Sequence, residues 1–414
     1  MSIPASPKPP GGNSAPLDIF LVAAEESGDR LGAALMRALT QRAGAALRFS
    51  GVGGREMAAA GLDSLLPIDD LAIIGFAAIP GRLPRILRHM RATVRAIVAR
   101  RPNVLVIIDS PGYSLWVARF VRRADRSIPI VDYVSPSVWA WRPGRARSMR
   151  HYIDHILALL PFEPDVHRRL GGPPCSYVGH PLIQEVASLR PNAIEARRRD
   201  AEPPIVLAML GSRGSEVAHL AEIFGDGLAR LQRRIGPIEV IVPTFSHLFS
   251  QVTKATSSWS IRSRIVVEHD EKRAALRVAR AALTKSGTVT LELALAGVPM
   301  VAAYKVSPLE AWVIRRLVRV SSYILANLVI GENVVPELIQ DECTPEQIAA
   351  MLAPLIGDTA ERRRQVEAFS RLDTIMEIGS REPAAHAADI VLGALRRPEG
   401  SLAAGLASTE ASGR

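Results

Sequence analysis

Short apolar runs alternate along the chain with segments whose apolar residues recur every three to four positions, which predicts strands followed by helices. The run Val104–Ile108 is apolar throughout, as is typical of a parallel strand buried on both faces. The predicted strands of the first half are Leu17–Ala23, Leu47–Val52, Val104–Ile108, Pro129–Val134 and Ile153–Leu159. Helical spacing follows at Asp29–Gln41, from Arg55 onward, and up to about Arg123. Repeated β-α units predict a parallel sheet with helices on both faces.

The alternation lapses between Pro181 and Pro204, where a charged, proline-bounded stretch predicts a linker. It restarts with predicted strands at 205–210, 238–242, 265–267 and 281–284 and with helices from 215 and near 272–282. We therefore expect an α/β protein with two doubly wound, Rossmann-like domains that face a cleft. Its predicted parts are a flexible N-terminal segment (1–16), a first domain (17–185), a linker (186–204), a second domain (205–396) and a low-complexity tail (397–414).

The composition suits a soluble protein of two domains. A length of 414 residues and a hydrophobic fraction of 48% are ample for two cores. No apolar run approaches the ~20 residues of a membrane-spanning helix, and the N-terminus does not resemble a signal peptide. The two cysteines, Cys175 and Cys343, match no metal or redox spacing, which suits a reducing cytoplasm.

The formal net charge of +10 is concentrated in one part of the chain. Residues 82–150 contain fifteen arginines and three aspartates, with no lysine or glutamate. A basic face attracts phosphate, whether of a nucleic acid, an anionic lipid or a substrate, although a solvated surface is an equally good interpretation. Because no RNA-binding aromatic motif or zinc finger is present, no nucleic-acid partner is expected.

Two turns rich in small residues follow predicted strands of the second half and look like paired phosphate-binding loops. They comprise Gly211, Ser212, Arg213, Ser286, Gly287 and Thr288. Such a turn at the carboxyl end of a parallel strand exposes backbone N–H groups, and the start of the next helix adds partial positive charge. The Arg213 guanidinium suits two phosphate oxygens, whereas the alternative is a surface ion pair with Glu216. We therefore expect a nucleotide diphosphate at these turns.

Nine motifs occur in an order that is far more specific than any one of them. They are AEESGD (24–29), IDSP (108–111), YVSPSVWAWR (133–142), LPFE (160–163), VGHP (178–181), GSRGSE (211–216), SGTVTLE (286–292), ANL (326–328) and ELIQDE (337–342). From about Phe20 to Ala353 the set closely resembles the lipid-A-disaccharide synthase family. The resemblance implies two domains of the GT-B glycosyltransferase fold, a cytoplasmic location at the inner face of the inner membrane, and catalysis without a bound metal or cofactor.

The implied reaction joins UDP-2,3-diacylglucosamine to 2,3-diacylglucosamine 1-phosphate, inverts the anomeric centre, and yields the β-1,6-linked disaccharide 1-phosphate and UDP. Inverting transfer needs a base for the acceptor hydroxyl and stabilisation of the departing diphosphate. The residues alone favour Asp109 as the cap of a helix beginning near Pro111. The resemblance reverses this interpretation, because the catalytic aspartate of the family falls at Asp109. Glu25 and Asp29 are the rival carboxylates.

The acceptor sugar is expected at the AEESGD motif, where Glu25, Ser27, Gly28 and Asp29 follow the first strand and reach the cleft. Ser27 and Gly28 offer backbone N–H groups to a sugar or phosphate, although a capped helix start explains the same residues. Gly112 stands where the family often has a second carboxylate, so no role of that carboxylate is carried over.

Two further residues are expected at the donor site. Glu292 lies one helical turn beyond Thr288 and reaches the same face. In related two-domain transferases a glutamate here accepts hydrogen bonds from the ribose hydroxyls, whereas a helix salt bridge is the alternative. Asn327 is assigned to the donor site by resemblance alone.

The apolar stretch Leu71–Pro80 leads into a segment with regularly spaced arginines, namely Arg82, Arg85, Arg88 and Arg91. Apolar residues beside such arginines form an interfacial pattern that enters acyl chains and binds lipid phosphates. A core-packed helix with a solvated basic side is a serious alternative. We predict peripheral association with an anionic membrane surface through this segment, and an oligomer remains possible.

Other functions are compatible with the same turns. A different UDP-sugar enzyme of this fold, acting on a lipid-linked acceptor or as a UDP-sugar 2-epimerase, is the nearest alternative. A catalytically inactive sugar-binding protein is disfavoured by the intact Asp109, Arg213 and Glu292.

Overall fold

The computed structural model describes residues 16–43, 46–68, 79–317, 320–377, 379–380 and 382–395. Within these ranges the strands of the first sheet are β1 Leu17–Ala23, β2 Leu47–Val52, β3 Asp63–Ser64, β4 Val104–Ile108, β5 Ile130–Tyr133, β6 His155–Ala158 and β7 Cys175–Tyr177. They lie in the order β3-β2-β1-β4-β5-β6-β7, and neighbouring strands are parallel.

The second sheet is built in the same way from the second half of the chain. Its strands are β8 Ile205–Met209, β9 Glu239–Pro243, β10 Ser263–Val266, β11 Ala281–Thr284, β12 Met300–Tyr304 and β13 Glu337–Ile339. They lie in the order β10-β9-β8-β11-β12-β13, again with parallel neighbours.

Helices cover both faces of each sheet. In the first half they are α1 Glu26–Arg42, α2 Arg55–Ala59, α3 Ile79–Arg100, α4 Ser114–Ala124, α5 Gly144–Met149, α6 Glu163–Leu170, α7 Leu182–Leu189 and α8 Ala193–Asp200. In the second half they are α9 Gly214–Ile235, α10 Phe249–Thr256, α11 His269–Val278, α12 Val289–Leu295, α13 Pro308–Leu317, α14 Leu325–Ile330, α15 Pro345–Ile356, α16 Ala360–Ser370, α17 Leu372–Ile375 and α18 Pro383–Leu395.

The strand order of each sheet reverses at its centre, and this reversal sets the place of the candidate site. In the first sheet β1 lies beside β4, and Ala23 is paired with Ile108. In the second sheet β8 lies beside β11, and Met209 is paired with Thr284. Because loops diverge at such a switch point, the segments that follow these four residues border the two crevices where open α/β sheets bind ligands.

The predicted α/β fold with two doubly wound domains is confirmed. Strands β1, β2, β4 and β11 begin and end at the predicted residues. The sequence analysis missed β3, β7, β12 and β13. Three of these are short, and β3 and β7 are exposed or only half-buried, so they lack the apolar run that marks a central strand.

Much of the predicted linker is helical, which the sequence analysis did not predict. It contains the end of α7 and all of α8, and the Asn192 side chain caps α8 by accepting from the backbone N–H groups of Ile194 and Glu195. Glu195 pairs with Arg277 of α11 at 2.7 Å. The connection is therefore packed against the second domain.

The predicted boundary of the second domain at residue 396 also needs correction. Helix α18 packs along α1 and buries its apolar face in the core of the first domain. The buried residues of this face are Ala384, Ala387, Ala388, Val391 and Leu392. The chain thus returns to the first domain at its last described helix. The predicted segment 1–16, except Pro16, and the predicted tail 397–414 lie outside the described residues.

Ala388→Asp tests this placement of α18. Ala388 is 0% exposed, so the substitution buries an unpaired carboxylate and lowers the free energy of unfolding by about 3 kcal/mol or more. Gly393→Asp is the matched control, because a side chain at Gly393 meets no atom within 4 Å. Urea denaturation measures both variants, and equal losses of stability would contradict the packing of α18 on the first domain.

Candidate active site

Asp109 follows β4 directly, and each of its carboxylate oxygens accepts a hydrogen bond. Ser27 Oγ donates to Oδ2 at 2.9 Å, and the backbone N–H of Ser110 donates to Oδ1 at 2.8 Å. Helix α4 begins only at Ser114, and neither bond comes from its first turn. Asp109 therefore does not cap that helix, and its half-buried carboxylate stands at the carboxyl end of the central strand.

The backbone around Asp109 is strained. Asp109 and Ser110 have φ values of 53° and 49°, and Val134, at the end of the neighbouring β5, has a φ of 90°. Side chains rarely adopt this left-handed region, and a β-branched one least of all. Ser114 Oγ holds the turn by donating to the carbonyl oxygens of Asp109 and Ser110. Strain maintained in this way is characteristic of functional sites.

Gly28 allows α1 to start close beside Asp109. A Cβ at this position would lie 3.2 Å from the carbonyl oxygen of Ile108 and 3.7 Å from the Cβ of Asp109. The absence of a side chain lets the preceding Ser27 reach Asp109. Of the predicted acceptor residues, Ser27 and Gly28 thus lie beside Asp109, and Glu25 is exposed immediately before α1.

Asp29 has a different role from the predicted acceptor contact. It is 2% exposed, and its carboxylate accepts from the backbone N–H groups of Gly54, Glu56 and Met57 at 2.7, 2.9 and 3.1 Å. These bonds cap α2 and satisfy the carboxylate within the protein. Burial and capping give Asp29 a structural role in the first domain.

The sequence analysis missed a second carboxyl group behind Asp109. Asp132 lies in β5, is 2% exposed, and its Oδ2 has no hydrogen-bond partner among the described residues. Burial raises the pKa of Asp132 well above its usual range, and the charges of Asp109 and Glu163 raise it further. The sequence feature that could have predicted this buried carboxyl group is an aspartate inside the otherwise apolar stretch 129–134.

The central tryptophan motif is anchored by Glu163 at the junction of the domains. The buried Glu163 accepts from Trp139 Nε1 at 3.2 Å and from the backbone N–H of Leu160 at 3.0 Å. Trp139 packs edge-on to Phe162, and both contact a core that belongs mainly to the second domain. Burial raises the pKa of Glu163 to about 7, although these hydrogen bonds partly offset the rise. Trp139 is thus a packing residue.

The first predicted phosphate turn is organised by Glu216. This carboxylate accepts from the backbone N–H groups of Ser212 and Arg213 at 2.9 and 3.2 Å, and it pairs with Lys285 Nζ at 2.9 Å. Burial raises the pKa of Glu216, but Lys285 and the two amides outweigh it, so the pKa lies below its usual value. The partner of Glu216 is therefore Lys285, which corrects the alternative pair with Arg213. The backbone N–H groups of Ser212 and Arg213, which were expected to face phosphate, therefore donate to Glu216 instead.

The second turn keeps its N–H groups available. The backbone N–H groups of Ser286, Gly287 and Thr288 donate to no acceptor in the described part of the chain. Gly287 has a φ of 141°, a conformation that suits glycine, and the Thr290 hydroxyl closes the turn by donating to its carbonyl oxygen at 2.8 Å. Three successive free donors form a concave site for an anion.

Glu292 lies beside two cations that the sequence analysis did not place there. The positive charges of Lys272 and Arg273 in α11 attract the Glu292 carboxylate, and the negative charge of Glu185 in α7 repels it. Burial raises the pKa of Glu292, Glu185 raises it further, and the two cations partly offset the rise. Lys272 Nζ also lies 4.5 Å from the ring centre of Phe245, whose side chain is exposed. Glu292 is thus a half-buried hydrogen-bond acceptor in α12, the helix that follows the central strand β11.

Asn327, which the resemblance assigns to the donor site, is buried and holds a loop through its side-chain amide. It is 1% exposed, and its Oδ1 accepts from the backbone N–H groups of Val334 and Val335. Its Nδ2 donates to the Ser322 hydroxyl at 3.2 Å and to the carbonyl oxygen of Val335 at 3.0 Å. The amide thereby fixes the loop that precedes β13.

The predicted basic segment forms part of α3. Arg85, Arg88 and Arg91 are exposed on this helix, whereas the side chain of Arg82 and most of the stretch Leu71–Pro80 lie outside the described residues. Helix α4 packs beside α3 and carries an exposed, stacked aromatic pair, Trp116 and Phe120, with ring centres 5.9 Å apart. Across the described ranges, no helix has the length and apolar character needed to cross a bilayer.

Several solved structures share this two-domain architecture. The MurG protein of Acinetobacter baumannii superposes with a TM-score of 0.55 at 16% identity and covers 91% of this chain and all of its own. A UDP-GlcNAc 2-epimerase of Neisseria meningitidis superposes with a TM-score of 0.52 at 10% identity, with 92% and 99% covered. At such identities the likeness establishes the GT-B fold alone.

Sequence comparison is more specific. A family model described as lipid-A-disaccharide synthetase matches residues 19–391. The lipid-A-disaccharide synthase of Nitrobacter winogradskyi is 58% identical over 378 residues, which cover 91% of this chain and 96% of the relative. The corresponding protein of Rhodospirillum centenum is 39% identical, with 92% and 96% covered. The chain therefore belongs to the lipid-A-disaccharide synthase family of hexosyltransferases.

Proposed function

We propose that this enzyme transfers the diacylglucosamine unit of UDP-2,3-diacylglucosamine to the 6-hydroxyl of 2,3-diacylglucosamine 1-phosphate. The products are the β-1,6-linked disaccharide 1-phosphate and UDP. The observation that carries this proposal is the pairing of a strained, accessible carboxylate at one switch point with a turn of free backbone N–H groups at the other. Membership of the family supports the choice of substrates.

Asp109 serves as the general base in this proposal. The acceptor hydroxyl attacks the anomeric carbon of the donor, its proton passes to the Asp109 carboxylate, and the bond from that carbon to the diphosphate oxygen breaks. Ser27 holds Oδ2 from one side, and Ser110 holds Oδ1. These bonds orient the carboxylate and leave lone pairs for the acceptor. Glu25 and the backbone at Gly28 line the same edge and are proposed to contact the acceptor.

The second domain holds the nucleotide and the developing charge of the leaving group. The N–H groups of Ser286, Gly287 and Thr288 bind the diphosphate, and the exposed Arg213 adds a permanent positive charge. Gly211 and Ser212 shape the turn that presents Arg213. Ionised Glu292 accepts hydrogen bonds from the ribose hydroxyls.

Membrane association is proposed for α3 and α4. Their exposed surface combines Arg85, Arg88 and Arg91 with Trp116 and Phe120, and Arg119 lies 5.5 Å from the ring centre of Trp116. Arginines bind lipid phosphates while amphipathic aromatic rings enter the interface. This surface would hold the enzyme peripherally at the inner face of the inner membrane, where lipid substrates reside.

The proposed reaction is tested by incubating the protein with the two lipid substrates. We expect stoichiometric UDP and a disaccharide 1-phosphate with inverted anomeric configuration, measured by phosphorus and proton NMR. A UDP-sugar 2-epimerase would instead convert the sugar of UDP-GlcNAc without an acceptor. If the lipid pair releases no UDP, the proposed function is wrong.

Asp109→Asn tests the base. The amide cannot accept the proton, so we expect kcat to fall by about 10²–10⁴-fold, while UDP affinity is retained because the nucleotide binds the other domain. The matched control is Asp125→Asn, which alters a carboxylate between α4 and β5 that is bonded to Ser127 and paired with Arg101. Steady-state kinetics distinguish the two variants, and near-normal turnover by Asp109→Asn would place the base elsewhere.

UDP affinity is expected to depend on the ionisation of Glu292. Its pKa is raised by burial, so the carboxylate becomes protonated at a higher pH than an ordinary glutamate does. Affinity is therefore full above this raised pKa and falls as the pH decreases through it, by up to about tenfold per pH unit. Calorimetric titrations of the wild type and Glu292→Gln isolate this effect, since protonation of UDP itself affects both alike. Parallel pH profiles would exclude Glu292 from the ribose site.

Replacement of Arg82, Arg85, Arg88 and Arg91 by serine tests the membrane surface. We expect most of the binding to anionic vesicles to be lost in a flotation assay, since each basic residue near the surface contributes about 1 kcal/mol. The matched control replaces four exposed arginines of the second domain, namely Arg233, Arg234, Arg262 and Arg264. Equal binding by both fourfold variants would show that α3 is not the contact.

A further inference from the structure

A cavity of about 240 Å³ lies beside the second phosphate turn and is used by none of the steps above. It is bordered by the ends of β12 and β13, by α13 and by the loop before α14. Its lining includes Ser286, Ala302, Ala303, Val306, Ala311 and Ile324. An apolar cavity of about 150 Å³ already accommodates a molecule the size of benzene, so this space exceeds an ordinary packing defect.

The carboxylate and the amide in the wall are both hydrogen-bonded within the protein. The Glu337 carboxylate accepts from the Ser322 hydroxyl and from the backbone N–H of Tyr323. The Gln340 side chain both accepts from the backbone N–H of Val306 at 2.8 Å and donates to its carbonyl oxygen at 3.2 Å. The remaining surface is almost entirely apolar, so the cavity suits an apolar group and offers little to a polar one.

The position of the cavity connects it to the donor. Ser286 belongs both to its wall and to the turn with free N–H groups. Tyr304, another wall residue, lies within the electrostatic reach of Glu216 and Arg213 of the first turn. In the proposed donor the anomeric carbon is bonded directly to the diphosphate, and the two acyl groups are attached to the next two carbons of the same ring. The acyl chains of the donor thus start beside this cavity.

We propose that the cavity binds part of one acyl chain of the sugar nucleotide and so selects donors by chain length, an inference that rests on the proposed function. Small side chains at Ala302, Ala303 and Ala311 keep the space open. Outside the cavity, α13 carries the exposed Trp312 and Leu317, which give a chain an apolar path along the same helix. Asn327 is a positioning residue here, since its amide holds the loop that forms the wall.

Photocrosslinking on the unmodified protein tests the location. The probe is UDP-diacylglucosamine with a diazirine within one acyl chain. We expect labelled peptides from 302–311, 323–324 or 337–340, and we expect excess UDP to abolish the labelling. Labelling that falls elsewhere, or that persists with excess UDP, would overturn the assignment.

A chain-length series tests selectivity. Each buried methylene changes affinity by about fourfold, so kcat/KM of the wild type should rise along a series of donors and then level off. Ala311→Leu and Val306→Phe fill the space, and for the longest donor we expect a loss of about 10- to 60-fold relative to the shortest. Ala360→Leu, which adds the same side chain at an exposed position, should keep the wild-type profile.

The outcomes separate the two proposals. UDP affinity, measured by calorimetry, serves as the check on folding of each variant. If both filled variants bind UDP normally and keep the wild-type chain-length profile, the acyl site is wrong while the proposed reaction stands. If the wild-type protein releases no UDP from the lipid pair, both proposals are overturned.

Discussion

The proposed nucleotide site depends on the hydrogen bonds and the ion pair of one buried carboxylate, that of Glu216. It joins two turns that are far apart in the sequence, because it accepts two backbone N–H groups of the first turn and the ammonium group of Lys285 beside the second. Its removal would leave the Lys285 ammonium group, which is 18% exposed, and two backbone N–H groups without this partner, which is more costly than the loss of one exposed ion pair. Glu216 therefore holds the first turn, which carries Arg213, in a fixed conformation. Among the described residues, the backbone N–H groups that stay available for the proposed diphosphate are those of the second turn.

Most of the fold is predictable from the sequence because its central strands are buried on both faces. Strands β4 and β11 consist of uninterrupted runs of apolar or small residues. Such runs are typical of parallel strands that are buried on both faces, so they predict the parallel sheet directly. Strand β7 is only half-buried, and α8 is a short charged helix without a buried residue, so neither has an apolar pattern that identifies it. Helix α7 does have one, because Ile183, Val186 and Leu189 are buried at every third position, and the sequence analysis overlooked it. The return of α18 to the first domain depends on a contact between the two ends of the chain, which local patterns cannot encode.

The candidate site is predictable in position but not in its internal bonding. The order of strands and helices places Asp109 and the second turn at strand ends, and the family motifs give these residues their expected roles. The sequence does not reveal that the Asp29 carboxylate accepts the hydrogen bonds that cap α2. It also does not reveal that Lys285 pairs with Glu216, 69 positions away. These outcomes depend on which groups folding removes from water, since each buried polar group must then find a partner.

The packing of α7 shows why the two domains cannot be treated as independent binding modules. This helix leaves the first domain, yet Glu185 pairs with Arg273 of α11, and Arg273 also donates to the Ser188 hydroxyl. The same Glu185 and Arg273 act on the charge of Glu292. A shift of α7 relative to α11 would therefore change the electrostatic environment of the residue assigned to the ribose. The connection between the domains thus contributes, through Glu185, to the electrostatics of the proposed nucleotide site.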